Sequence, residues 1–160
     1  MIIALKIRGY SGQGFGSGFI KWFTFAGKEG AAHVSLVFVF RGGEEEEFEA
    51  IQGAGVIRHP PTAGKSFREF VVPVTEMQML NAHILACSLV GCGYDWKGIW
   101  GFLRRKKAHD LLKWFCSELV SYILYKIGYP LSRRKPYQET PASICDTLRI
   151  EEVTDSSGVA

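Results

Sequence analysis

The spacing of apolar and polar positions changes once along the chain, from a period of two to a helical period, and that change divides the sequence. Met1 to Arg8 reads as a first strand. His33-Val34-Ser35-Leu36-Val37-Phe38-Val39-Phe40 is rich in β-branched and aromatic residues, and Gly42-Gly43 separates it from Glu45-Glu46-Glu47-Phe48-Glu49-Ala50-Ile51, which predicts a hairpin. With Val34, Leu36, Phe38 and Phe40 turned to the core, His33 and Ser35 fall on the opposite face. Gly55 to Arg58 and Phe67 to Val74 extend this to a small antiparallel sheet, with Glu44 to Glu47 expected as a solvated turn. From Thr75, an N-cap, the period is helical through a stripe of Met77, Leu80, Ile84 and Leu85, stopping at Gly91 and Gly93. His83 falls off that stripe and, like His59 and His109, is expected at the surface. A last helical turn is expected around Ala142 to Thr147 after Pro141, with a frayed tail beyond about residue 150.

The strongest helix signal is Trp114-Phe115-Cys116-Ser117-Glu118-Leu119-Val120-Ser121-Tyr122-Ile123-Leu124-Tyr125-Lys126-Ile127-Gly128. Leu119, Val120, Ile123, Leu124 and Ile127 recur at helical spacing, and Gly128 with Pro130 supplies the stop. Cys116 lies in the first turn on the buried stripe, where N–H groups and the positive end of the helix dipole favour thiolate. A buried cysteine is also a common small hydrophobe, so position alone does not make it a nucleophile.

Composition narrows the class. At 160 residues, 47% apolar and 13% aromatic, the chain has material for one domain, residues 1–160, and is not disordered. No apolar run approaches the roughly eighteen residues of a membrane span, and Met1 to Arg8 lacks the pattern of a secretory signal. Cys87, Cys92, Cys116 and Cys145 form no C-x-x-C pair, so they read as free thiols in a reducing, cytoplasmic compartment. Gly12, Gly14, Gly16 and Gly18 suggest a phosphate loop, but the Lys-Ser/Thr of such a loop is missing; Ser17 reads instead as the N-cap of a short helix through Phe23. No metal-ligand spacing and no cofactor motif is visible, and a net charge of +3 with no nucleic-acid motif points to no nucleic-acid partner. Arg104-Arg105-Lys106-Lys107, beside Trp96, Trp100, Phe102 and Leu103, suits a membrane surface and equally an ordinary amphipathic helix.

A thiol nucleophile needs a base, and the base needs a group that fixes its tautomer. The hairpin offers both. His33 and Glu49 are 49 − 33 = 16 positions apart, so a symmetric hairpin turning at Arg41 sets them opposite one another on one face, with Cβ atoms roughly 4.5–5.5 Å apart. Glu47 then lies opposite Ser35, diagonal to His33, and is the second choice.

The strings Trp114-Phe115-Cys116-Ser117-Glu118-Leu119-Val120 and Tyr94-Asp95-Trp96-Lys97-Gly98 resemble the NlpC-type papain-like cysteine peptidases, in which a Tyr-x-Trp-Gly segment precedes an Asp-Cys-Ser-Gly-Leu-Val helix start. In those enzymes the cysteine precedes the histidine. Here Ala32-His33-Val34-Ser35-Leu36-Val37 and Phe48-Glu49-Ala50 come first, which is similar to the circularly permuted branch. The resemblance implies an α+β, papain-like fold with a small antiparallel sheet packed against helices. It implies Cys116 as nucleophile, His33 as general base and then acid, Glu49 as orienting residue, and Tyr94 as a hydroxyl donor to the oxyanion beside the Cys116 N–H. Two positions depart from the family pattern: Phe115 replaces its Asp and Glu118 its Gly. The related lipid acyltransferases of the lecithin:retinol type follow cysteine with Glu-His, which Ser117-Glu118 does not match.

The expectation is therefore a cysteine hydrolase that cleaves an amide through an acyl-enzyme, without a cofactor, acting on a peptide, amide or lipid substrate. A lipid thioesterase or acyltransferase of the same superfamily is the alternative, followed by a non-catalytic phage or binding module that keeps the fold. The sequence chooses neither the substrate nor an oligomeric state.

Overall fold

The computed structural model describes residues 1–11, 31–61, 66–94 and 113–156. Five strands form one antiparallel sheet: β1 (Ile2–Ser11), β2 (Ala31–Phe40), β3 (Glu45–Ile51), β4 (Gly55–His59) and β5 (Ser66–Val71), in the order β4-β3-β2-β1-β5. Three helices follow among the described residues: α1 (Glu76–Leu89), α2 (Cys116–Lys126) and α3 (Pro141–Ser156), with a 3₁₀ turn at Pro136–Gln138. Between α1 and α2, β6 (Gly93–Tyr94) and β7 (Lys113–Trp114) pair in parallel. The architecture is α+β. None of the described helices is long and apolar enough to cross a membrane.

Side-chain alternation gives the sheet two unlike faces. One carries Leu5, Ile7, Val34, Leu36, Phe38, Phe48, Ala50, Val56 and Phe70, all buried in the core that the helices complete. The other carries Lys6, Arg8, Tyr10, His33, Ser35, Glu45, Glu47, Glu49, His59 and Glu69. Glu45 bridges to Lys6 at 3.1 Å and Arg8 at 2.6 Å, and Glu69 to the same two bases at 2.7 and 2.6 Å, so the charges on this face are largely compensated across β5, β1 and β3.

The hairpin register differs from the expected one by two residues. Leu36 pairs with Phe48 and Val37 with Glu47, which puts Glu49 across from Ser35 and makes it diagonal, not opposite, to His33. The turn is wider than a reversal at Arg41: Phe40 N–H donates to Glu44 O and Gly43 N–H to Phe40 O, with Gly43 at φ 83°. A two-residue shift preserves the face, so His33 and Glu49 still project together. The glutamate run is not uniformly solvated, because Glu47 is fully buried.

Helix α1 starts as expected at Thr75, through a reciprocal cap in which Gln78 N–H donates to Thr75 Oγ1 and Thr75 N–H to Gln78 Oε1. Its inner stripe is not the expected one. Met79, Ala82 and Ala86 are buried, whereas Met77, Leu80 and Ile84 are exposed. His83, expected at the surface, wedges its ring edge-on against Phe38, Phe40 and Phe48 and reaches Glu46 Oε2 at 2.8 Å. Helix α3 continues past the single turn expected, as far as Ser156, from a cap in which Thr140 and Ser143 exchange side-chain and backbone hydrogen bonds. The glycine-rich stretch from Gly12, the helix expected at Ser17, the Arg104 to Lys107 cluster and His109 lie outside the described residues.

Candidate active site

Helix α2 is the hub of the core. Cys116 to Ser121, Ile123 and Leu124 are all buried, and the helix packs against β2 and β3. It ends at Gly128, φ 81°, in a Schellman arrangement: Gly128 N–H donates to Tyr125 O and Tyr129 N–H to Leu124 O. Gln78 Nε2 donates to Ile127 O at 2.9 Å, fixing α2 against α1. At the other end the N-cap residue is Phe115, whose side chain makes no capping hydrogen bond, and Leu119 N–H closes the first turn on Phe115 O at 2.9 Å. Cys116 is thus the first helical residue, its sulfur at the positive end of the dipole.

The sulfur meets the His33 end of β2. Cys116 Sγ is hydrogen-bonded to the His33 ring and accepts from the backbone N–H groups of Val34 and Ser117. The other side of the ring is committed: His33 Nε2 lies 2.5 Å from Glu49 Oε2. That leaves Nδ1 as the nitrogen facing the sulfur. The Tyr10 ring, across the strand pair from His33, packs on the imidazole with centroids 5.7 Å apart. Tyr10 Oη and Ser35 Oγ both donate to Glu47 Oε1, and Arg8 Nη1 lies 3.7 Å from Glu47 Oε2. Glu47 therefore anchors the wall behind the imidazole and does not touch it.

These contacts set the protonation states. Burial alone would hold the proton on Cys116, but the charge and hydrogen bond of His33, with the two backbone N–H groups, outweigh it and bring the thiol below its ordinary range. Burial alone would likewise strip His33 of its proton; the sulfur and then Glu49 reverse this and push the imidazole up to about 10. Glu49 is held below the usual carboxylate range: burial opposes ionisation, and His33 and His59 more than compensate. The arrangement favours a thiolate beside an imidazolium, itself held by a carboxylate. Cys145, the other buried thiol, has the opposite setting, with burial pushing it up to about 11. All four cysteines are free.

Of the four residues singled out in the sequence, Cys116, His33 and Glu49 come together. Tyr94 is near the helix entry: it pairs with Trp114 across β6 and β7, two residues ahead of Cys116, and is half-buried against the core. The sequence reading missed His59, expected at the surface; its Nε2 lies 2.6 Å from Glu49 Oε1. The available signal was parity. Only residues 52–54 separate β3 from β4, so His59 falls on the same face as Glu47 and Glu49. Among the described residues no cluster of His, Cys, Asp or Glu has a metal-holding arrangement. No protein-family model and no curated protein matches the chain.

Proposed function

We propose that this protein is a cysteine hydrolase of the permuted NlpC-type, papain-like kind, cleaving an amide through a thioester at Cys116. One observation carries the reading: the imidazole of His33 lies between a sulfur at a helix N-terminus and the carboxylate of Glu49. A merely structural cysteine needs neither partner.

The chemistry follows from those positions. Cys116 Sγ attacks the carbonyl carbon, and the carbonyl π electrons move onto oxygen. The helix-start N–H of Cys116 and the hydroxyl of Tyr94 are the donors assigned to that oxyanion. Collapse expels the amine, which takes the Nδ1 proton of His33 and leaves a thioester and a neutral imidazole. His33 then removes a proton from water as it attacks the thioester; collapse of the second intermediate releases the carboxylic acid and restores the thiolate–imidazolium pair. Glu49 holds Nε2–H throughout, so Nδ1 is the nitrogen that exchanges protons.

The test is a panel of cell-wall peptides, acyl-lysine amides and phospholipids incubated with the full chain, followed by intact-mass measurement. Turnover of an amide, with an acyl adduct that maps to Cys116 and disappears in Cys116→Ala, supports the proposal. Turnover of lipids alone would transfer the site to the lipid thioesterase or acyltransferase reading. No adduct on any class, with a folded protein, would favour the non-catalytic module.

A further inference from the structure

Glu49 is shared. His33 reaches it diagonally from β2 and His59 diagonally from β4, so one carboxylate sits between two imidazoles on a line across three strands. The second imidazole is held from both sides: His59 Nδ1 lies 2.7 Å from Pro60 O, and its Nε2 2.6 Å from Glu49 Oε1. A carbonyl oxygen and a carboxylate oxygen only accept, so both ring nitrogens must donate for both contacts to be hydrogen bonds. A neutral ring carries one N–H and would set a lone pair against one of the two oxygens. This geometry selects the imidazolium.

We propose that His59, resting on the hydrolase reading above, is a positioning residue of the Cys116 site: as an imidazolium it pins Glu49, and through Glu49 sets the His33 ring and the pH range over which the thiolate forms. The groups facing it are consistent with that charge. They are Glu49 and, further off, Glu47 on β3, the latter tied to Arg8 and Tyr10 on β1. β6 packs at the opposite, Gly55 end of β4, where it brings Tyr94. Burial alone would discharge His59; Pro60 O and the glutamates raise its pKa instead. Removing this cation withdraws a positive charge from the vicinity of the thiolate, which makes the thiolate harder to form. A unit charge roughly 10 Å away at an effective dielectric of about 20–40 corresponds to a shift of about one pH unit.

The experiment is the rate of iodoacetamide labelling of Cys116, read by peptide mapping across the pH range, in the wild-type full chain and in His59→Gln. Glutamine keeps an N–H for Glu49 and cannot titrate. The expected result is an acid limb displaced by about one unit to higher pH in His59→Gln, and loss of the inflection that His59 contributes to the wild-type profile. Rapid labelling of Cys116 in both proteins with superimposable profiles would overturn the role of His59 and leave the hydrolase reading intact. Wild-type Cys116 labelling no faster at pH 6 than the half-buried thiols Cys87 and Cys92 would defeat the hydrolase reading and this inference with it. Should His59→Gln not fold, imidazole NMR titration of the wild type decides: coupled, biphasic curves for His33 and His59 support the proposal, and independent single-site curves overturn it.

Discussion

Two glutamates two residues apart on β3 serve different ends. Glu49 touches both histidines, while Glu47 accepts from Tyr10 and Ser35 and braces the wall beside His33. Choosing between them from the sequence depended on register, and the alternation along the strands was the sound part of that reading. His59 was missed because the same alternation was not carried across residues 52–54 into β4, where parity sets it on the face of Glu49. The charge states yield a pH prediction. Glu49 is held below its ordinary pKa, so its contribution to stability is fully present above the unfolded value of about 4.5 and is lost as pH falls through the folded one. His33, raised to about 10, contributes fully below its unfolded value of about 6.5 and loses that contribution as pH climbs toward 10. Thermal denaturation across pH should therefore show a plateau bounded on both sides, and Glu49→Gln should flatten part of the acid decline. Glu45 and Glu69, also held low by Lys6 and Arg8, keep the remainder. An unchanged acid decline in Glu49→Gln would contradict the assignment.

At the scale of elements, the sequence pattern located the five strands of the sheet and the start of each described helix, but not the β6–β7 pair, the 3₁₀ turn or every inward face. In α1 two apolar stripes compete. Met77, Leu80 and Ile84 lose to Met79, Ala82 and Ala86 because the small residues permit close packing, which a count of apolar positions does not register. Helix α2 was legible because its stripe and its stop agree. The connections carry constraints of their own. Gly55 has φ 77°, and a Cβ there would lie 2.1 Å from Cys92 O, which accepts from Val56 N–H at 2.8 Å. Gly55→Ala should destabilise the fold by more than about 1 kcal/mol, measured by denaturant unfolding, because neither β4 nor residues 91–93 can withdraw without breaking that contact. A change within about 0.5 kcal/mol would mean the loop yields freely. The short β6–β7 pair sets Tyr94 beside Trp114 at the entry to α2. If its hydroxyl serves the oxyanion, Tyr94→Phe should lower turnover of any substrate by about 10²-fold or more at unchanged stability. A variant as fast as the parent would remove Tyr94 from the site and leave Cys116 and His33 in place.

On the scale of the whole molecule, the sheet and helices divide the labour. The apolar face and the three described helices form the core, and the polar face carries the chain of donors and acceptors that ends at the start of β2. The site forms where a helix N-terminus from late in the sequence meets a strand from early in it. That meeting was beyond periodicity; the need of a thiol nucleophile for a base suggested it, and the resemblance of the Cys116 and His33 segments to a known enzyme family strengthened it. This meeting is what favours a thiolate at Cys116. Its most direct test is competitive alkylation of the folded protein at pH 6, with each of the four cysteines quantified by peptide mapping, in wild type and in His33→Ala. Cys116, though among the most buried of the four thiols, is expected to react first, and His33→Ala to abolish its lead. Labelling that follows exposure, with Cys87 and Cys92 ahead of Cys116, or a Cys116 rate indifferent to His33, would contradict it.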